Sequence, residues 1–307
     1  MKRSPVLLIG FNRPDNMSQV FAQIRKAKPD VLYIAVDGPR ESKEGEEKKC
    51  EECRSFAKQV DWPCEVHTLF REKNVGCALG VSGAISWAFE NEDRLIILED
   101  DCVPDISFFS FCDNMLEMYK DDTRVWQVCG RSYHPNSSFF DKSDYIFSHY
   151  AHIWGWATWK RCWAHFDLYM KDFPEYIKQG GAYNVFQSQE LAKYANRFNE
   201  RVYNNIEYVS SHTWDYQWSY TKEKNGALGI VPRFNLIKNI GTESGAHANG
   251  AYVDTLPFSS MPNEIRHPLF VIDYSDYDEY HSRNHVNGTL MKNVFKTAKS
   301  LICNLLK

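Results

Sequence analysis

Three short apolar runs and one alternating run constrain this chain more than anything else in it. Residues 6–9, 31–36, 64–69 and 95–98 are each of strand length, and each ends in a polar loop that leads into apolar positions at helical spacing. After the first run these positions are Met17, Val20, Phe21 and Ile24, closed by Pro29. After the second they are Cys53, Phe56 and Val60 in a charge-rich stretch. Val81, Ile85, Ala88 and Phe89 follow the third, and Phe108, Phe109, Phe111, Met115 and Met118 the fourth. Alternation of strands and helices over roughly the first 120 residues predicts an α/β fold on a mostly parallel, doubly wound sheet. Such sheets bind ligands outside the carboxyl ends of their strands. The crevice is therefore expected between loops 11–15, 37–40, 71–76 and 99–101.

The fourth run singles out one of these loops, because residues 95–98 lead straight into Glu99, Asp100 and Asp101, with Pro104 and Asp105 close behind. Three adjacent carboxylates at the end of a buried strand repel one another and lose hydration. A hard divalent cation and the hydroxyls of a bound ligand would offset that cost. The alternative is a solvated acidic turn, and the spacing alone names no ligand.

Composition removes some classes of function. A net charge of −4 with both signs mixed along the chain lacks the basic excess of a general nucleic-acid binder, although a nucleotide ligand is still compatible. The 43% hydrophobic content is that of an ordinary globular chain. Met1 to Pro5 run directly into a strand rather than into a long apolar stretch, and nine cysteines are an odd number, so reduced, cytoplasmic thiols are expected. Cys50 and Cys53 have metal-ligand spacing but no second pair and helix-like surroundings.

Beyond residues 125–129 the pattern changes. Residues 131–145 are turn-rich, and Trp154, Trp156, Trp159 and Trp163 fall within ten positions, a density that suits either a core wall or a binding wall for sugar rings. Residues 173–207 read as polar helix. They lead to Trp214, Asp215, Tyr216, Gln217 and Trp218, an acid within an aromatic cluster, and a short strand follows at 229–231. Residues 239–247 form a glycine-rich loop around one strong ligand, His247. No repeat or long linker divides the chain, so residues 1–285 read as one unit with halves at 1–130 and 131–285. In 286–307, Leu290, Met291, Val294, Phe295, Ala298, Leu301, Ile302 and Leu305 recur at helical spacing against Lys292, Lys296, Lys299 and Lys307. That is a basic amphipathic helix, suited to an anionic membrane surface or to docking on its own domain.

Taken in order, these motifs resemble the GT-A class of nucleotide-sugar-dependent glycosyltransferases. Leu98-Glu99-Asp100-Asp101, followed by Pro104-Asp105 and Phe108-Phe109, is similar to the EDD motif and its sequel in the N-acetylglucosaminyltransferase I family. Phe11-Asn12-Arg13-Pro14, Gly155-Trp156 and Trp214-Asp215 are similar too. The likeness spans roughly residues 4–270 and extends to bacterial glycosyltransferase-like proteins. It implies a GT-A-like fold whose first half binds a nucleotide-diphosphate sugar, UDP by preference, and whose later half completes the acceptor side for a glycan or lipid-linked saccharide. By resemblance, Asp101 carries Mn²⁺ or Mg²⁺, with His247 reaching the metal or diphosphate. Asp100 and Glu99 meet ribose and donor-sugar hydroxyls. Phe11, Asn12, Arg13, Asp37, Arg71 and Asn74 frame the nucleotide, the alternative for Arg13 and Arg71 being surface ion pairs. Asp215 is the candidate general base of an inverting displacement, with Glu243 in reserve and a helix-start carboxylate as the structural alternative. The related family has a second Asp after the position of Asp215, where this chain has Tyr216. The competing functions are a metal-dependent nucleotidyltransferase, which should carry a glycine-rich phosphate loop after its first strand, and a non-catalytic carbohydrate-binding protein.

Overall fold

The computed structural model describes residues 3–241 and 256–286. In chain order its elements are β1 (Val6–Gly10), α1 (Pro14–Ala27), β2 (Val31–Val36), α2 (Glu46–Arg54), β3 (Glu65–Phe70), α3 (Gly76–Ala88), β4 (Arg94–Glu99), β5 (Cys102–Pro104), α4 (Ile106–Met118), β6 (Val125–Cys129), β7 (Tyr145–Ser148) and β8 (Trp156–Trp159). The later part carries α5 (Lys160–Trp163), α6 (Phe173–Lys178), α7 (Gln189–Asn204), α8 (Ile206–His212), α9 (Asp215–Lys224), β9 (Leu228–Pro232), β10 (Ile237–Asn239) and α10 (Ser275–His281). The expected C-terminal helix lies, from residue 287 on, outside the described residues.

Eight strands form one sheet in the order β3-β2-β1-β4-β8-β6-β9-β7, and β10 pairs with β5 in a separate ribbon. The four strands read from the three apolar runs and the alternating run are neighbours and mutually parallel. Both faces of β1, β2 and β4 are covered, which is why these strands read as unbroken apolar runs, whereas β3 at the sheet edge alternates in exposure. The later half extends the same sheet: β8 inserts antiparallel between β4 and β6, β9 runs parallel to β6, and β7 closes the far edge antiparallel. The result is a mostly parallel, helix-flanked α/β architecture, as expected from the alternation of strands and helices.

Local chemistry sets the helix ends. Pro14 opens α1, where a missing N–H costs nothing, and Lys28 closes it in the left-handed conformation. Asp105 caps α4 by accepting from Ser107 N at 2.9 Å, so the Pro104-Asp105 sequel of the acidic loop starts a helix. The tryptophan-dense region resolves in favour of the core. Trp156, Trp159, Trp163, Trp214 and Trp218 are all buried, and Trp156 lies 5.6 Å from both Trp214 and Trp218 between ring centroids. Trp218 Nε1 donates to the buried Gln127 Oε1 at 3.0 Å, which satisfies its polar tip. Cys50 and Cys53 are buried thiols, and burial pushes them up to about 11 and about 12, away from the thiolate a zinc site needs. Among the described residues no helix is long and apolar enough to cross a membrane.

Candidate active site

The registers of β1, β2 and β4 bring their carboxyl ends level. Ile9 sits beside Ala35 on one flank and Glu99 on the other, and Asp37 N donates to Gly10 O at 3.1 Å. The loops that follow surround a cavity of about 540 Å³, within the ordinary range for a small-molecule site. Phe11, Asn12, Arg13, Asp37, Arg71, Asn74, Glu99 and Asp100 all line it. Two further expected residues, His247 and the reserve base Glu243, lie outside the described residues.

Arg13 holds the acidic loop. Its guanidinium forks onto the buried Asp100, donating through Nη2 to Oδ1 and through Nε to Oδ2 at 3.3 Å, while Nη1 reaches Asp101 Oδ2 at 3.0 Å. Burial disfavours the Arg13 charge, but Asp100 and Asp101 outweigh it and hold the group protonated, above its ordinary value. Burial raises the pKa of Glu99, and Asp101 and Asp100 add to the rise. Asp100 is raised mainly by burial, against the opposing charge of Arg13.

Asp101 differs from Asp100 in exposure: its side chain is 19% accessible against 3%. Its Oδ1 accepts from Cys102 Sγ at 3.3 Å, and the β5–β10 ribbon sits directly over it, with Ile240 N donating to Asp101 O at 2.9 Å. Only glycine fits at Gly241, where a Cβ would lie 2.2 Å from Asp101 Oδ2. Among the described residues no group of three or more His, Cys, Asp or Glu is arranged to hold a metal ion. A hard cation at the partly exposed Asp101 would have this one protein carboxylate and would be completed by substrate phosphates, the usual manner of Mg²⁺ and its relatives, rather than by an all-protein cage. Asp101 already faces a cationic group, Arg13, at that oxygen.

The next two loops are fastened by Asp37. It accepts from Gly38 N at 2.9 Å, Asn74 Nδ2 at 2.9 Å and Val75 N at 3.2 Å. Burial raises its pKa, against these N–H groups and the charge of Arg71. A Cβ on Gly38 would strike the Lys73 backbone at 2.4 Å, so the two loops touch there. Arg71 Nη1 donates to Gly80 O at 3.3 Å.

Sequence reading missed Glu46, although this buried carboxylate ties the first two loops together. Its Oε1 accepts from Asn12 Nδ2 at 2.8 Å, and Oε2 accepts from Arg40 N at 2.7 Å and Arg40 Nε at 3.0 Å. Arg40, the last residue of the expected rim loop 37–40, lines the cavity with its guanidinium 5.4 Å from the Phe11 ring centroid. The Arg40 hydrogen bonds hold Glu46 down to about 2.

The later half enters the site through α8 and the start of α9. Ser211 and His212 line the cavity beside Cys77, none of them anticipated; a contact between a helix end and a strand-end loop leaves no periodic trace in a sequence. Asp215 is the first residue of α9 and accepts from Thr213 Oγ1. It is half-buried, and its charge is close enough to raise the pKa of both Glu99 and Cys77. Its neighbours Trp214 and Trp218 belong to the core, so the aromatic setting read around Asp215 lies largely behind it.

No protein-family model matches this chain, and no curated protein matches it. Among solved structures it is similar to S. aureus TarS 1-349, with a TM-score of 0.43 at 6% identity, covering 78% of this chain and 61% of that one. It is also similar to HddC from Yersinia pseudotuberculosis, with a TM-score of 0.31 at 13% identity, covering 52% of this chain and 78% of that one. The HddC complex with GMP-PN gives a TM-score of 0.30 at 8% identity over the same shares.

Proposed function

We propose that this chain is a glycosyltransferase that moves a sugar from a nucleotide-diphosphate donor, a UDP-sugar, to a hydroxyl of a glycan or lipid-linked saccharide. The observation that carries the reading is the cavity at the level carboxyl ends of β1, β2 and β4, where acids and arginines meet. Arg13, Arg40 and Arg71 bring guanidinium donors of the kind that bind a diphosphate ester to the cavity lining, and Phe11 offers a flat ring beside Arg40. Asp101 would hold Mn²⁺ or Mg²⁺. Bound there, the ion supplies Lewis acidity that offsets charge on the departing nucleoside diphosphate.

The protein groups do the rest by orientation. Arg13 locks Asp100 and Asp101 in one geometry, and Glu99 and Asp100, which line the cavity, would offer acceptors to ribose and sugar hydroxyls. Asp215, whose charge is felt at Glu99, takes the proton from the acceptor hydroxyl as its oxygen attacks the anomeric carbon, the bond to the nucleoside diphosphate breaks on the opposite face, and the anomeric centre inverts.

The runner-up nucleotidyltransferase would need a glycine cluster after β1, and Phe11-Asn12-Arg13-Pro14 has none. A carbohydrate-binding module would use the tryptophans as a wall, and most of them are core. Titration calorimetry of the full chain with UDP, with and without MnCl₂, tests the proposal: metal-dependent binding is expected, and its absence in both arms rejects a nucleotide site. Hydrolysis of a panel of nucleotide-sugars then identifies the donor.

A further inference from the structure

Away from the cavity, one stretch of surface departs from what water tolerates cheaply. Leu269 is 91% exposed, Phe270 69% and Ile272 61%. A solitary exposed leucine needs no explanation, but three large apolar side chains within four positions form a patch of the kind that marks an interaction site. The backbone under them is firmly held. Arg266 pairs with the buried Asp144 at 2.7 Å, Arg124 Nη1 donates to Val271 O at 2.9 Å, and Tyr274 N donates to Phe147 O at 2.9 Å. Val271 packs against the core, so its two neighbours are turned outward. The ridge is therefore presented by design of the surrounding bonds rather than left loose.

What lies next in the chain indicates the occupant. From the ridge, α10 leads directly to the last described residues, and positions 287–307 contain Lys292, Lys296, Lys299 and Lys307 with no Asp or Glu, interleaved with Leu290, Val294, Phe295, Leu301 and Ile302. A protein partner would need a groove shaped to three protruding side chains. A bilayer accepts them at its headgroup–acyl boundary without one, and an anionic leaflet complements the acid-free, lysine-bearing sequence of 287–307, which follows the acidic positions Asp273, Asp276, Asp278 and Glu279 along the chain. We propose that Leu269, Phe270 and Ile272 are a membrane-insertion ridge that seats this chain on an anionic lipid surface. The inference does not depend on the transferase reading. If both hold, the acceptor belongs to the lipid-linked class.

Co-sedimentation of the full chain with phosphatidylcholine vesicles, with and without phosphatidylglycerol, tests it. Binding to the anionic vesicles is expected, and Leu269→Ser/Phe270→Ser/Ile272→Ser should weaken it by about tenfold or more, while UDP binding and the melting temperature stay as in the parent chain. Leu269→Ser alone, at the most exposed position, should give part of the same loss. Parent protein that binds neither vesicle, or a triple variant that partitions like the parent, overturns the proposal. A triple variant that instead halves the mass in solution assigns the ridge to a second copy of the chain, and overturns it as well.

Discussion

The two halves of the sheet treat polar groups in opposite ways. Along β1, β2 and β4 the carboxyl edge is crowded with charge, and several of these charges are answered from a neighbouring loop: Arg13 by Asp100 and Asp101, Arg40 by Glu46, Asp37 by Asn74 and the Val75 amide. Along β6, β8 and β9 the space is filled by aromatic rings, and the polar groups among them are sunk into specific partners, as Gln127 is with Trp218 and as His281 is between His134 and His152. The first arrangement builds a fixed polar cavity. The second builds a wall that holds α9, and with it Asp215, in place. The two halves meet where the Asp215 charge is felt at Glu99. Breaking one half should therefore cost ligand binding or turnover, and breaking the other should cost stability.

The largest effect expected is that of Asp101→Ala. The substitution removes the one protein carboxylate that would hold the cation, and it leaves the buried Arg13–Asp100 pair intact. Metal-dependent UDP binding should fall below detection in calorimetry, with the melting temperature little changed. Unaltered metal dependence would move the cation elsewhere and dissolve the contrast drawn above.

Asp215→Asn comes next and separates a base from a helix-start carboxylate. Asn retains the shape, can still accept from Thr213 Oγ1 and loses only the basicity. Turnover should drop by ~10²–10⁴-fold, with UDP-sugar affinity and melting temperature near those of the parent. Activity that declines only in step with stability would make Asp215 structural.

On the other side of the comparison, Trp218→Ala should destabilise by about 3–5 kcal/mol, the usual cost of emptying a large buried aromatic, and it also strands Gln127 Oε1. Thermal or denaturant unfolding reads this directly. Loss of sugar binding with unchanged stability would restore the reading of the tryptophans as a ligand wall.

The sequence was informative where covering on both faces or an exposed face leaves a periodic trace. β1, β2 and β4 are apolar throughout because both faces are buried, and α1 shows its buried Met17, Val20, Phe21 and Ile24 as a clean stripe. β5, β7 and β10 went unread: three or four residues are too few for alternation to register, and their pairing is decided by chain far away, as Ile237 with Pro104. The tryptophans were ambiguous because ring chemistry serves a core and a sugar face equally well, and only burial separates the two. Glu46 was invisible for a different reason. Residues 41–52 contain six glutamates, and nothing local distinguishes the one that turns inward to Asn12 and Arg40.

Glu46 also gives the smallest and most discriminating test of the charged half. Its carboxylate is held down to about 2, against an ordinary 4.5, first by the hydrogen bonds from Arg40 and then by Asn12, with burial opposing them. A depressed acid stabilises the fold above its unfolded-state value, and that contribution is lost as pH falls through the folded-state value. The parent chain should therefore shed this part of its stability between about pH 4.5 and about pH 2, and Glu46→Gln, which carries no charge to lose, should show a flatter melting-temperature profile across that window. At neutral pH, Gln keeps one acceptor and can hold either Asn12 or the Arg40 backbone, so nucleotide affinity should weaken by only about tenfold. Glu46→Ala releases both loops and should weaken it further, through KM rather than kcat, because Glu46 touches the residues that frame the ligand and not the reacting atoms. Equal affinities for parent, Gln and Ala variants would mean that the first two loops do not need this tie, and that the cavity is held in shape by Arg13 and Asp37 alone.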